Sequence, residues 1–449
     1  MVFEMKAVLS RIHTRLGDLW WYTFLLFAAA RCGDLINAFI GLWLVPKYVD
    51  VNELGAVLPL SSFASFVVVP IGVLATVLSK QVNVLSVRGE KGQLKTLLRG
   101  VFLAVAVFFF VALLVVRLVF PLVLERIRVV EGMLGLVIVA AALTSAVAPV
   151  YQNVLQAQKR FGAVSFINVL CAPIRLVVML ISMPFRALTG YFVGQTAGPL
   201  FQIAASVFAL RKDLDSSVRA APYWTKDKIL EIGSYLSKVA LATAAGSLVA
   251  FVEPLLIRQR LPEMDSAAFY MISRFAEIGT YLGITLSMIV FPYVSEDSER
   301  GRTGDQLILK SMLAAVAFGA CCAVALGFLG NTALSLLPNG NAYVAYVPQL
   351  VALTLIMSLG VAVTCFTVGE SAANRFGWLW WSVPLHVFYV FILMILTGYG
   401  YLHGIVPDRL VGALAKINAS RLNFLLGMKA TFTFVLSACI AVQMLRRKK

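Results

Sequence analysis

Val101–Val116 reads VFLAVAVFFFVALLVV, 16 residues without one polar side chain. A membrane-spanning β-strand alternates apolar and polar residues over about 10 positions. This stretch is apolar on every side, so its backbone must satisfy its own hydrogen bonds as a helix. With its flanks it covers 98–120, and about 20 apolar residues suffice to cross a bilayer. Working outward, the same reading gives spans at 20–45, 55–79, 98–120, 132–156, 162–184, 187–210, 231–257, 266–293, 309–330, 343–368, 376–397 and 422–445. They are numbered 1 to 12 in that order. The expectation is an all-α polytopic membrane protein.

Composition agrees. Of 449 residues 60% are hydrophobic and 13% charged, against about 25% charged in a soluble chain. The net charge of +16 is unevenly placed. With the N-terminus inside, 23 of the 38 Lys and Arg lie on that side, among them Lys80, Arg88, Lys91, Lys95, Arg99 and Arg446–Lys449. The opposite side has 9, and the other 6 lie within spans. By the positive-inside rule both ends are cytoplasmic. The same asymmetry accounts for the basic character without a nucleic-acid partner. All six cysteines fall in spans, so no disulfide framework is expected. Met1–Gly17 is mixed and charged, unlike a cleaved signal, and span 1 is expected to direct insertion.

The inside loop Arg211–Lys228 divides the chain into a six-span bundle (1–212), a cytoplasmic linker (213–228) and a second six-span bundle (229–449). Arg160-Phe161-Gly162 recurs as Arg375-Phe376-Gly377, 215 residues on. Ser61, Phe63 and Ala64 recur as Ser273, Phe275 and Ala276, 212 residues on, and the preceding turns 52–56 and 264–268 are alike. Six is even, so the bundles are expected to be parallel and related by a pseudo-twofold along the membrane normal, as in alternating-access carriers. The second half carries an insertion, Gly398–Ser420, whose Leu410–Ile417 portion reads as an interfacial helix.

Charges at membrane depth cost about 2.5–3.5 kcal/mol each on insertion scales and mark function by default. Span 1 carries Arg31, Asp34 and Asn37 on one face, span 8 Arg274, Glu277 and Tyr281, and span 5 Asn168, Cys171 and Arg175. Span 7 has Lys238 and Glu253, and span 12 has Lys429. The excess of cations suits an anionic substrate. Two readings stand for each i,i+3 pair, Arg31 with Asp34 and Arg274 with Glu277: mutual neutralisation, or lining of a hydrated cavity. Arg175 has no acid within helical reach and is the best single ligand contact. Lys238 and Lys429 either join the cavity or snorkel to an interface. Asp34, Glu253 and Glu277 are candidates for coupling to H+ or Na+. Gln152, Asn153, Gln156, Gln195 and Gln202 serve interhelical bonding or sugar contact.

Enzyme signals are nearly absent. His13, His386 and His403 do not sit at metal-ligand spacing with Cys or acids, and no phosphate-binding Gly-Lys loop occurs. Asp213-Leu214-Asp215 imitates an acidic transferase pair in a loop too short to hold a nucleotide. No metal and no cofactor is expected.

Asn52-Glu53-Leu54-Gly55, Gln156-Ala157-Gln158-Lys159-Arg160-Phe161, and Asn168 with Arg175 beyond them resemble the O-antigen type of polysaccharide flippase. That family shares its fold with multidrug and toxic-compound extrusion transporters. The resemblance implies a flippase of the bacterial cytoplasmic (inner) membrane, carrying undecaprenyl-diphosphate-linked oligosaccharide from the inner to the outer leaflet for lipopolysaccharide or exopolysaccharide. Related lipid-linked-sugar flippases place arginines of spans 1 and 8 in a central cavity, positions held here by Arg31 and Arg274. The partners implied are the lipid-linked substrate, H+ or Na+, membrane lipid, and glycan polymerase or assembly proteins. Peptidoglycan-precursor flippases have fourteen spans, so the shorter O-antigen branch fits better. Three alternatives stand beside it: a drug or metabolite exporter of the same fold, a membrane glycan polymerase or ligase, and a non-transporting scaffold for envelope assembly.

The topology has a direct test. A phosphatase reporter fused after Lys449 is expected to be inactive, and a fluorescent-protein fusion there to be bright. The reverse pattern would invert every loop assignment above.

Overall fold

The computed structural model describes residues 31–67, 89–100, 133–157, 160–211, 225–299, 302–396 and 422–447, with single positions at 69, 73, 81, 82, 85, 103, 107, 110, 111, 114 and 223. Most of span 3, the Asp213-Leu214-Asp215 loop and the Gly398–Ser420 insertion lie outside them. Every element among the described residues is a helix, with no strand among them. Span 4 is Leu134–Ala157, span 5 Phe161–Ser182, span 6 Ala187–Leu210, span 7 Lys226–Arg260, span 9 Asp305–Ser335, span 10 Val347–Ala372 and span 12 Leu422–Arg447.

These seven contain the helices that, among the described residues, are long and apolar enough to cross a membrane. Span 11, Leu379–Leu396, is apolar but shorter. Span 8 is broken. Glu263–Ala276 gives way to a 3-10 turn, Glu277–Thr280, before the helix resumes at Tyr281–Glu299. Span 1 also changes pitch, through a π turn at Ile40–Leu44 that runs on into Val45–Tyr48.

The chain forms two compact units. The first comprises Met1–Ile40, Val67–Val123 and Val130–Ser237; the second comprises Gly41–Phe66, Leu124–Val129 and Lys238–Lys449. Span 1 thus passes from one to the other inside its π turn. In the first unit span 6 packs on spans 4 and 5. Its core gathers Leu97, Tyr151, Leu155, Val164, Ile167 and Leu210. In the second, span 10 packs on spans 9, 12 and the latter part of span 8, around Val290, Ile308, Phe366, Trp378 and Ile440. Lipid gives helices no hydrophobic reason to associate, so close contact between small residues must hold them. At Gly319 an added Cβ would stand 1.8 Å from Ser358 Oγ, so spans 9 and 10 touch almost backbone to side chain.

The repeated motifs take up structural work. Arg160 donates to the Ala209 carbonyl (2.9 Å), tying the start of span 5 to the end of span 6. Arg375 donates to the Thr303 carbonyl (2.9 Å) and pairs with Asp305 (3.0 Å) and buried Glu370 (3.2 Å). Each guanidinium thus fastens a corner between helices. The matching turns 52–56 and 264–268 pack on each other within the second unit. Ser266 Oγ lies 3.5 Å from the Gly55 carbonyl, and Arg258, fully buried, donates to the Asn52 carbonyl.

Gly55 has φ −65, so space rather than conformation demands glycine there. A Cβ would come within 2.2 Å of Ser266 Oγ and 3.0 Å of its backbone. Gly55→Val is expected to cost about 1–3 kcal/mol through overpacking. It should appear as a lowered melting temperature of the purified protein, and Gly55→Val with Ser266→Ala should recover part of it.

Candidate functional site

The residues singled out in the sequence fall into separate groups. In the first unit, Arg31 and Asp34 pair across one helical turn at 3.1 Å, with side chains 30% and 31% exposed. Asn37, on the same face, is engaged differently. Its Oδ1 accepts from Arg175 Nη1 of span 5 at 2.8 Å. Arg175 Nη2 also lies 4.0 Å from Cys171 Sγ, one turn earlier. Arg175 Nε is buried with no hydrogen-bond partner among the described residues. No carboxylate among them lies within ion-pair distance of this guanidinium. Gly198 of span 6 makes room for it: a Cβ there would sit 3.3 Å from Arg175 Nε and 3.0 Å from Cys171 Sγ.

Asn168 lies two turns before Arg175 and is half-buried. Its Oδ1 accepts from Gln152 Nε2 (2.7 Å) and from Gln202 Nε2 (3.2 Å), joining spans 4, 5 and 6. One oxygen thereby takes up both of its lone pairs. Gln195 is bound to Tyr191 (2.9 Å) within span 6.

In the second unit, Arg274 donates to both oxygens of Glu277, at 2.8 and 3.0 Å. Their side chains are 22% and 32% exposed. The pair sits where span 8 tightens into its 3-10 turn. Facing it is the π turn of span 1. Such a turn displaces the regular i to i−4 bonds and leaves a carbonyl to be satisfied. Tyr270 donates its hydroxyl to the Gly41 carbonyl at 3.0 Å. The Arg274 stem covers the same glycine, its Cδ 3.2 Å from where a Cβ would stand. Nothing in the composition of span 1 announces the π turn. Gly41 is its only sequence mark.

A third cluster joins three distant helices. Glu253 of span 7 is buried and receives Lys429 of span 12 at 2.6 Å and the Tyr389 hydroxyl of span 11 at 3.0 Å. Phe432 stacks on Tyr389 at 4.2 Å and meets His386 edge-on at 5.1 Å. Sequence reasoning named Glu253 and Lys429 but had no reason to join residues 176 apart, and it passed over Tyr389. Lys238 stands apart from that cluster. It is exposed and lies over the Phe376 ring at 5.6 Å, beside the second Arg-Phe-Gly corner.

Spans of this length and hydropathy, broken where they carry charge and bound by polar clusters in their interior, describe a multi-pass membrane protein. Solved structures give its fold. A Vibrio cholerae MATE transporter, VcmN, superposes with TM-score 0.62 at 13% identity, covering 98% of each chain. The chain has the MATE fold. A MOP-superfamily transporter from Pyrococcus furiosus, described by the reverse polarity of its binding pocket, superposes with TM-score 0.59 at 12% identity and 95% coverage of both chains. The lipid II flippase MurJ, in an inward closed conformation, superposes with TM-score 0.56 at 11% identity, over 95% of this chain and 99% of that one. No protein-family model and no curated protein matches the sequence. These MATE-fold neighbours are transporters and flippases rather than enzymes.

The Glu253 cluster is open to measurement. Lys429→Met leaves a carboxylate buried without its cation, which typically costs about 3–5 kcal/mol. The purified variant should melt well below wild type. Glu253→Gln with Lys429→Met should recover most of the loss, which separates a charge effect from a packing one.

Proposed function

We propose that the chain is a flippase that moves undecaprenyl-diphosphate-linked oligosaccharide, the repeat unit of O-antigen or exopolysaccharide, from the inner to the outer leaflet by alternating access. Arg175 carries this reading. Among the described residues it is a guanidinium in a membrane helix whose nearest bond is to a neutral amide, with one buried donor unspent. Arg31, Arg274 and Lys429 each hold a carboxylate. The site residues therefore grade from Arg175, ready for an anion, to pairs that must open to take one.

The barrier to flipping is chemical. Diphosphate and sugar hydroxyls lose water bonds in hydrocarbon at a few kcal/mol apiece. Guanidinium matches phosphate oxygens in a bidentate fork. Asn168, Gln152 and Gln202 supply the amide chemistry that sugar hydroxyls need. The prenyl tail can stay in lipid while the head group crosses. Outward movement of negative charge from a negative interior also gains about 2.3 kcal/mol per charge per 100 mV. Asp34 and Glu277, partly exposed, are the acids within reach of a coupling H+ or Na+, whereas Glu253 is buried under Lys429 and Tyr389.

A second reading has its own support. Several solved neighbours are MATE transporters, one of them named for multidrug resistance, which favours an exporter of soluble compounds. The Pyrococcus furiosus neighbour is described as having a binding pocket of reversed polarity, and MurJ as a lipid II flippase. The MurJ likeness supports a lipid-linked cargo for this chain.

Proteoliposomes loaded with labelled lipid-linked oligosaccharide distinguish the readings. Arg175→Ala should slow flipping about 10- to 100-fold, the worth of a hydrogen bond to a charged group. Arg175→Lys should restore only part, having charge without the fork. Unchanged flipping in Arg175→Ala would remove the site. No flipping by wild type, with efflux of a cationic dye instead, would favour the exporter.

A further inference from the structure

Spans 5 and 6 form a hairpin joined by residues 183–186, and along their contact span 6 carries a buried glycine at every fourth residue: Gly190, Gly194 and Gly198. What each glycine faces changes with distance from the turn. At Gly190 an added Cβ would stand 2.5 Å from the Met183 backbone nitrogen, so the two helices meet backbone to backbone. Ser182 Oγ also donates to the Gly190 carbonyl there, at 2.9 Å. At Gly194 a Cβ would lie 2.2 Å from Met179 Cγ and 3.1 Å from the Arg175 carbonyl oxygen. At Gly198 the nearest atoms are Cys171 Sγ at 3.0 Å and Arg175 Nε at 3.3 Å, with the Cys171 carbonyl oxygen also at 3.3 Å. One turn further on, Gln202 reaches Asn168. The nearest backbone thus recedes from 2.5 to 3.1 to 3.3 Å, and side chains fill the widening gap.

The first rung does what small residues do between helices in lipid, which is to let backbones close. The third rung has a different neighbour, the end of a long and flexible arginine. Arg175 Nε is buried against Gly198, so the fork that Nε makes with Nη2 is turned to span 6. The terminal nitrogens remain for an oxygen, and Nη1 already holds one, Asn37 Oδ1 at 2.8 Å. Asn37 is exposed, so this end of the guanidinium lies at an open face.

We infer that Gly198 is the positioning residue of the Arg175 contact. Having no side chain, it lets the guanidinium lie against span 6 with Nη1 presented to Asn37, whose oxygen stands where an anionic oxygen of the cargo would bind. The inference rests on Arg175 as the anion contact. It adds that the grip is end-on, through the terminal nitrogens, and that its aim is set by a residue that never touches cargo. A methyl group at 198 would force its neighbours to give by a few tenths of an ångström. The free end of Arg175 yields more readily than the helix does. Positioned groups tolerate only about 0.5 Å of error.

Two readouts follow one set of variants of the full chain. Melting of the purified protein needs no cargo. Asn37→Ala should lower the melting temperature by about 2–4 °C, the worth of a hydrogen bond to a charged group. With Gly198→Ala present it should lower it little further. Flipping of labelled lipid-linked oligosaccharide is read in proteoliposomes. Gly198→Ala should slow it about tenfold while still melting cooperatively, and should add nothing in an Arg175→Ala background. Gly190→Ala, which meets backbone, should lower the melting temperature and spare the flipping rate of the folded fraction. If Gly198→Ala does not melt cooperatively, Cys171→Ala with Gly198→Ala relieves the sulfur contact and keeps the one against Nε; it is compared with Cys171→Ala alone. An Asn37→Ala shift as large with Gly198→Ala as without it overturns the inference. So does normal flipping by Gly198→Ala where Arg175→Ala is slow, which leaves Arg175 as the contact and removes only Gly198. Unchanged flipping in Arg175→Ala, or none by wild type, removes the cargo reading instead, and the melting comparison still decides the role of Gly198.

Discussion

A peptide carbonyl released in hydrocarbon has no water to turn to, and the fold is organised around that fact. It makes every described element a helix. It also limits where a helix can deviate. The π turn of span 1 survives because Tyr270 reaches the Gly41 carbonyl. The 3-10 turn of span 8 carries Thr280, whose hydroxyl returns to the Glu277 carbonyl. Both irregularities lie beside the Arg274–Glu277 pair. Here a departure of the backbone from regular helix coincides with a charged pair.

The charges follow the same economy. Paired across one turn, Arg31 with Asp34 and Arg274 with Glu277 bring counterions from within their own helix. Glu253 and Lys429 instead bridge separate helices, so this pair adds to tertiary specificity. Breaking it strands a buried charge, whereas the side chains of the i,i+3 pairs are partly exposed. The two kinds of pair therefore serve different ends: local neutrality near the deviating backbone, and registration of spans 7, 11 and 12.

Much of this was legible in the sequence. Apolar length set the helices, and spacing set the polar faces of spans 1, 5 and 8 and the two short ion pairs. The repeated Arg-Phe-Gly motif was visible as a repeat, though not that each arginine fastens a backbone carbonyl. What escaped is long-range or conformational. The bond from Arg175 to Asn37 joins residues 138 apart, and the Glu253 contacts join residues 136 and 176 apart. No pattern within one helix encodes them. Pitch changes escaped as well, because π and 3-10 turns use the same residues as the α-helix around them and depend on a donor from another span.

The Arg175–Asn37 bond also bears on time. A guanidinium locked to a carboxylate must exchange one anion for another, and its counterion competes throughout. An amide partner yields without any charge being separated, and reclaims the guanidinium just as easily. In the proposed flippase such a contact favours brief occupancy: it can welcome a visitor without detaining it.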